Sequence, residues 1–185
     1  MKIAGNHYRT IWPVVEAAVE VIEQTRLPHA LATLRLESLE DAAHGIKAMI
    51  VRCAPLIGAT AAYGMGLAMR KDASDEALDR AHDTLLATRP TAINLRWALA
   101  RMRDALRNQP RDQRAAIAWA EAAVICDEDV ETCRSIGEHG LKIFREAAAK
   151  KTGKLNVLTH CNAGWLACVD WGTALAPIYM AHDAG

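Results

Sequence analysis

The sequence of 185 residues has few aromatic side chains and no excess of either charge. It contains one Phe, three Tyr and five Trp, and its 22 basic residues balance 22 acidic ones, so the formal net charge is zero. Without excess positive charge, a protein has no bulk attraction for the phosphates of nucleic acids or for anionic membranes. We therefore expect neither class of partner, while a local cationic pocket for a small anion remains compatible with this composition.

A long apolar run and a CxxC motif are also missing. No stretch approaches the ~20 apolar residues of a membrane span, and residues 54–69 are interrupted by a proline and three glycines. The N-terminus lacks the apolar run of a signal peptide. The five cysteines are odd in number, which indicates reduced thiols and a cytoplasmic protein. Cys126 and Cys133 are seven residues apart, as are Cys161 and Cys168, and this is not zinc-ligand spacing.

The first 36 residues carry β signals. Gly5 and Asn6 predict a turn within a short hairpin. Residues 14–22 fit both a helix and a strand, because their apolar positions match either period. Residues 34–36 predict another short strand. We therefore expect a small β element at the N-terminus.

Helices are expected over most of the following chain. Their predicted starts are marked by capping residues or prolines: Ser38 in a capping box that opens a helix to about residue 51, Pro55, Ser74 or Asp75, and Pro90. The second of these helices has a glycine-rich face that permits close packing. A longer helical stretch runs from about residue 114 to 151, with Gly137 and Gly140 as candidate interruptions.

The pattern changes near residue 152. Residues 155–160 predict a buried strand, 161–164 a tight loop and 172–184 a helix, which is the opening of a parallel α/β sheet. The expected fold is thus mainly α with a small N-terminal β element over residues 1–151, followed by the first βα unit of a Rossmann-like domain over 152–185. A parallel sheet needs more strands to bury its faces, so we expect the second domain to be truncated.

Two arginines precede predicted helix starts. Arg52 is followed by Cys53 and Ala54, and its guanidinium can grip two phosphate oxygens while the free N–H groups and the dipole of the helix add to the attraction. Arg89 lies in a similar position before Pro90 and can converge on the same anion. The alternatives are an arginine that pairs at a helix junction and a solvated loop arginine.

Cys161 lies at the carboxyl end of the predicted strand, where ligands bind in open α/β sheets. Backbone N–H groups of a loop and a following helix can lower the pKa of a thiol from its usual ~8.5. His160 is adjacent, but neighbours in a strand point to opposite faces, so the two are not expected to pair. The alternative for Cys161 is a buried structural thiol.

Six ordered segments spread over the whole chain carry a specific resemblance: 9–12 (RTIW), 24–28 (QTRLP), 51–58 (VRCAPLIG), 88–95 (TRPTAINL), 133–140 (CRSIGEHG) and 158–164 (LTHCNAG). The chain resembles the S-methyl-5-thioribose-1-phosphate isomerase family. The wider superfamily includes ribose-1,5-bisphosphate isomerases and the regulatory alpha, beta and delta subunits of initiation factor 2B.

The resemblance implies a homodimeric enzyme of methionine salvage that converts 5-methylthioribose 1-phosphate, an aldose, into the ketose 5-methylthioribulose 1-phosphate. By motif, Arg52, Cys53 and Ala54 hold the substrate phosphate, Arg89 contacts the substrate and Cys161 is the catalytic thiol. Neither a metal nor an organic cofactor is implied.

The sequence departs from the family pattern in two places. The family motif has Gly where this chain has Cys53, and a Cβ there costs ~1–2 kcal/mol if the backbone is left-handed. The second catalytic residue of the family, an Asp, belongs to a later segment than this sequence contains, so we expect half of the site and an inactive chain. Two alternatives stay open: a ribose-1,5-bisphosphate isomerase-like enzyme, and a non-catalytic regulatory or ligand-sensing protein, against which Cys161 argues.

Overall fold

The computed structural model describes residues 1–14 and 18–185. Its strands are β1 (Lys2–Ile3), β2 (Asn6–His7), β3 (Ile11–Val14), β4 (Ala18–Ile22) and β5 (Thr33–Leu36). Its α-helices are α1 (Leu39–Lys47), α2 (Ala54–Lys71), α3 (Asp75–Leu86), α4 (Ile93–Arg107), α5 (Arg111–Ala149) and α6 (Ala176–Asp183). Among the described residues, no helix is both long and apolar enough to cross a membrane.

The N-terminal β element is confirmed. β1 and β2 form an antiparallel hairpin, and its turn residues Ala4 and Gly5 both have positive φ. β3, β4 and β5 form a second antiparallel sheet with β4 in the centre. The strand alternative holds for residues 18–22, where Val19 and Val21 are fully buried, whereas residues 15–17 lie outside the described part.

The helices are arranged around α2, which is buried from Leu56 to Met69 and contacts α1, α3, α4 and α5. Its glycines permit this close packing, as the sequence predicted. A Cβ on Gly64 would lie 2.9 Å from the Cβ of Ala42 on α1. The start of α2 therefore has a fixed position relative to the rest of the helices.

Local capping signals locate the starts of α1 and α3. Ser38 accepts a hydrogen bond from the Asp41 N–H at 3.1 Å, and Ser74 accepts one from the Ala77 N–H at 3.2 Å. The predicted start of α4 at Pro90 is wrong, because residues 89–92 form a turn in which the Ala92 N–H donates to the Arg89 carbonyl. α5 likewise begins earlier than predicted, directly after Pro110.

α5 runs through Gly137 and Gly140 without a break, so the predicted interruptions are wrong. These two glycines are instead where α6 packs. A Cβ on Gly140 would lie 2.3 Å from Cγ of Pro177, and one on Gly137 would lie 2.7 Å from Cε of Met180. Their small size therefore serves tertiary packing between α5 and α6.

The strand predicted for residues 155–160 is not formed. Within the described residues no neighbouring strand pairs with this segment, and Leu158 is 97% exposed. An isolated extended segment has no ladder hydrogen bonds to hold it. The predicted helix over 172–184 also begins late, because Gly172 has a positive φ in a turn and α6 starts at Ala176. The βα unit is thus unconfirmed, and the domain boundary at residue 152 stays a prediction.

The first residues of the chain fasten the segment 168–170. The Thr10 N–H donates to the Val169 carbonyl at 2.9 Å, and Thr10 Oγ1 donates to the Cys168 carbonyl at 2.5 Å. The buried carboxylate of Asp170 accepts from the Met1 ammonium and contacts His7 Nε2. The loop that precedes α6 is therefore held by residues about 160 positions earlier.

Candidate active site

The first part of the site is the start of α2. Cys53 is the N-cap and Ala54 the first helical residue, and no side chain caps this helix end. The N–H groups of Ala54 and Leu56 and the positive end of the helix dipole are consequently available to an anion, whereas Pro55 has no N–H and that of Ile57 donates to the Cys53 carbonyl. Arg52 is exposed beside them, and within the described residues its guanidinium has no hydrogen-bond or ion-pair partner.

Cys53 has φ 70° and ψ 157°. This backbone region is adopted almost exclusively by glycine, and a side chain there costs about 1–3 kcal/mol. The positive φ that would favour glycine at position 53 is therefore observed. The strained residue is thus the one that the family resemblance assigns to the phosphate motif.

The second part of the site is the loop that carries Cys161. Cys161 is exposed and has a φ of 68°. Its neighbour Asn162 donates a hydrogen bond from Nδ2 to Cys53 Sγ at 2.6 Å. This bond joins two segments that are 109 residues apart in the chain and brings the Cys161 loop against the start of α2.

The Cys161 loop borders a cavity of about 280 Å³ that Trp165 and Tyr179 also line. The carbonyl of Ala163 accepts hydrogen bonds from the Thr173 and Leu175 N–H groups, which join the Cys161 loop to the residues just before α6. Burial raises the pKa of the Tyr179 hydroxyl. The indole N–H of Trp165 is buried and has no partner among the described residues.

Gln24 connects the segment before α2 with the segment that follows Cys161. It is 2% exposed; its N–H donates to the Ile50 carbonyl at 3.0 Å and its Nε2 donates to the Leu166 carbonyl at 2.7 Å. Gln24 thereby ties the residues before Arg52 to the turn after Cys161. The sequence placed Gln24 within a recognisable motif, but no spacing indicated this bridging position.

Arg89 is half-buried in the turn before α4. The first turn of α4 packs on α2, since the Asn94 carbonyl lies 3.1 Å from the position of a Cβ on Gly58. Within the described residues, however, no hydrogen bond joins Arg89 to Arg52 or Cys161. The structure therefore brings the Arg89 segment to the same helix as the phosphate motif without linking its side chain to the site.

A group of sulfur ligands lies behind the α2 start. Cys53 packs against Cys133 and Cys168, which are almost fully buried. The hydrogen bond that the Cys168 thiol donates to Cys133, together with burial and the nearby Asp129 carboxylate, raises the pKa of the Cys168 thiol. Burial is the main reason that the pKa of Asp129 is also raised. The Asp129, Cys133 and Cys168 ligand atoms all lie within 4.8 Å of one another, so these residues can hold a metal ion.

Relatives of known name match the whole chain. Methylthioribose-1-phosphate isomerase of Methylorubrum extorquens is 66% identical over 186 residues, and that of Escherichia coli is 55% identical over 188 residues. Both alignments cover 100% of this chain and 51% of the relative. The chain thus spans about half the length of the curated relatives it matches.

Solved structures of two proteins share the fold over 97% of this chain. The translation initiation factor eIF-2B, subunit delta, from A. fulgidus has a TM-score of 0.82 and 36% identity, with 52% of that chain covered. The 5-methylthioribose 1-phosphate isomerase from Pyrococcus horikoshii has a TM-score of 0.84 and 34% identity, with 51% covered. A model of the initiation factor 2 subunit family matches residues 50–185. Because that match covers more than half of the chain, the protein belongs to the initiation factor 2 subunit family.

Proposed function

We propose that this chain contributes the phosphate-binding and thiol-bearing parts of an aldose–ketose isomerase site that acts on 5-methylthioribose 1-phosphate. The observation that carries the proposal is the hydrogen bond from Asn162 to Cys53, which brings the only exposed cysteine among the described residues to the uncapped start of α2. The names of relatives at 55–66% identity agree with this substrate.

In this proposal the substrate phosphate lies at the start of α2. The guanidinium of Arg52 and the N–H groups of the first helical turn, beginning at Ala54, neutralise its charge. The positive φ of Cys53 turns the backbone into the helix at this point. Arg89 contributes a second positive charge from the turn before α4.

The sugar of the bound substrate extends from the phosphate toward the Cys161 loop. Substrate and product are isomers, so the reaction moves hydrogen from C2 to C1 and needs no oxidant or reductant. The phosphate on the anomeric oxygen prevents simple ring opening to a free aldehyde. Cys161, on an exposed loop held against the phosphate motif, relays a proton or stabilises the transition state.

The test is protection of Cys161 from alkylation. Native protein is treated with iodoacetamide, and the modification of each cysteine is followed by peptide mass spectrometry. Saturating 5-methylthioribose 1-phosphate is expected to slow alkylation of Cys161 at least tenfold. The ketose product should protect to a similar extent, because an isomerase site binds both.

The controls separate phosphate recognition from general stabilisation. 5-Methylthioribose without phosphate should give no protection, and Arg52→Ala should lose protection by the phosphorylated sugar. Arg145→Ala removes an exposed arginine near the end of α5 and should keep it. Equal alkylation of Cys161 with and without the sugar phosphate would refute the proposal. Stronger protection by ribose 1,5-bisphosphate would assign the site to that substrate instead.

Several broader features belong to the same proposal. They are a domain boundary near residue 152 with a Rossmann-like second domain, a homodimeric enzyme in the cytoplasm, and a reaction without cofactor, nucleic acid or membrane. The five free cysteines support a reducing compartment. The balanced charge supports the absence of a polyanionic partner.

A further inference from the structure

A set of three metal-ligating side chains lies behind the candidate active site and has no part in the proposed reaction. Asp129 and Cys133 are four residues apart on α5, so their side chains share one helix face. Cys168 comes from the loop before α6 and meets them there. One donor atom from each residue lies within 4.8 Å of the others.

The three ligands are held in place by their surroundings. The second carboxylate oxygen of Asp129, Oδ2, accepts a hydrogen bond from the Val169 N–H at 2.7 Å. The Cys168 carbonyl accepts from Thr10 Oγ1, and the Val169 carbonyl accepts from the Thr10 N–H. Such outer contacts orient the ligands of metal sites. The segment that carries Cys168 is thus fixed to α5 on one side and to the N-terminal sheet on the other.

The electrostatics of the group favour a cation. The side chains of Cys133 and Cys168 are buried, and Asp129 is half-buried. Within the described residues, no arginine, lysine or histidine forms an ion pair with Asp129. No positive side chain among the described residues therefore competes with a cation for this carboxylate.

We propose that Asp129, Cys133 and Cys168 form a structural site for a thiophilic divalent cation of the Zn²⁺ type. Two sulfurs and one carboxylate oxygen suit zinc, whereas Mg²⁺ and Ca²⁺ prefer oxygen ligands only. With Zn–S bonds of ~2.3 Å, tetrahedral ligand atoms lie about 3.8 Å apart, which the observed grouping accommodates. Binding forms two metal–thiolate bonds and releases two thiol protons to solvent, with no change of oxidation state. The fourth position is left to water.

The consequence of such an ion is structural. It would join α5 to the loop before α6 directly beneath Cys53, and would thereby support the phosphate motif without contacting substrate. The inference is independent of the proposed function, because it concerns ligands that touch no reacting atom.

The test uses Co²⁺ as a spectroscopic substitute for Zn²⁺. Reduced, metal-free protein is titrated with Co²⁺, and the thiolate-to-cobalt charge-transfer absorption is recorded together with the visible bands of a tetrahedral ion. One equivalent per chain is expected, and Zn²⁺ should displace it. Cys133→Ser and Cys168→Ser should each abolish the charge-transfer band at this stoichiometry, and Asp129→Asn should weaken binding at least tenfold. Cys126→Ser removes another buried thiol from α5, outside the group, and should leave the titration unchanged.

Two results would overturn the inference, and both are obtained on the wild-type protein. The first is the absence of a thiolate–cobalt band at up to a large excess of Co²⁺. The second is a disulfide between Cys133 and Cys168, found by peptide mapping of protein purified without reductant, that re-forms in air even when stoichiometric Zn²⁺ is present. That outcome would assign the pair to thiol oxidation instead of metal binding.

Discussion

The backbone strain at Cys53 can be measured by comparing two substitutions, Cys53→Ala and Cys53→Gly. Both remove the sulfur, with its hydrogen bond from Asn162 and its packing on Cys133 and Cys168. They differ only in the Cβ, which Ala retains and Gly lacks. The difference in stability between the two variants therefore isolates the cost of placing a Cβ at φ 70° and ψ 157°.

The expected magnitude follows from two opposing contributions. A side chain in this backbone region costs about 1–3 kcal/mol, and Gly relieves that cost. Gly also gives the unfolded chain more freedom, which destabilises the folded state by about 0.5–1 kcal/mol relative to Ala. The middle of these ranges leaves the Gly variant more stable by about 1 kcal/mol.

Urea unfolding of the two variants, followed by circular dichroism, measures this difference. With a slope of about 2 kcal/mol per molar urea, the midpoint of Cys53→Gly should lie about 0.5 M above that of Cys53→Ala. The matched control is Ala87→Gly, at an exposed helix end with φ −66°. There Gly should destabilise, by about 0.5–1 kcal/mol. A Cys53→Ala variant more stable than Cys53→Gly would refute the assignment of strain to Cys53.

Three further predictions concern a buried carboxyl, a helix contact and the thiols. Burial raises the pKa of Asp129, so the folded chain holds this proton more tightly than the unfolded chain. Ionisation of Asp129 then lowers the free energy of unfolding as the pH rises above about 4. Asp129→Asn should therefore be more stable than wild type at pH 7 but not at pH 4. Urea midpoints measured in the presence of a chelator test this. In Gly140→Ala the new Cβ should press against the Pro177 ring. The packing cost of about 1–3 kcal/mol opposes a gain in helix propensity of ~1 kcal/mol. Proteolysis of residues 172–185 should therefore become faster. In native protein at pH 8, an aromatic disulfide reagent should modify the exposed Cys161 first and Cys126 only on unfolding. The reason is that burial raises the pKa of Cys126 to about 12. Peptide mapping would identify the modified cysteines.

Each of these has a result that would contradict it. A stability gain of Asp129→Asn that does not vary with pH would place the effect in packing instead of charge. Gly137→Ala is the control for the helix contact, because its Cβ would meet the flexible end of Met180 at 2.7 Å and the Cβ of Ala176 at 3.2 Å, but no rigid ring. Equal proteolysis of both variants would refute the argument from the rigid Pro177 ring. Modification of Cys126 in native protein as fast as that of Cys161 would contradict its burial.

The parts of the fold that depend on nearby residues could be predicted from the sequence. Ser38 and Ser74 cap helices through hydrogen bonds to residues only three positions away, so the signal and the structure are both local. The positive φ at Cys53 could also be expected, because the family motif has glycine there. The start of α4 was predicted wrongly because proline occurs both in the first turn of helices and in the loops that precede them, and Pro90 lies in such a loop.

The remaining features depend on distant partners. Residues 155–160 have the composition of a strand, but a strand forms only beside another strand, and the described residues supply none. Gly137 and Gly140 have low helix propensity, yet the packing of α6 outweighs it. Nothing in the spacing indicated that Asn162 would bond to Cys53, or that Asp129 and Cys133 would meet Cys168, because such contacts arise only once the chain has folded.

The hydrogen bonds from Thr10 to the segment 168–170 have a consequence for synthesis of the protein. Thr10 leaves the ribosome 158 residues before Cys168. At roughly 5–20 residues per second this delay is about 8–32 s. During that time Thr10, which directly precedes β3, lacks its partners Cys168 and Val169, and the N-terminal hairpin lacks its contacts with Asp170. The N-terminal residues therefore depend on a segment made much later to complete their contacts, and the nascent chain exposes polar groups there until the loop before α6 arrives.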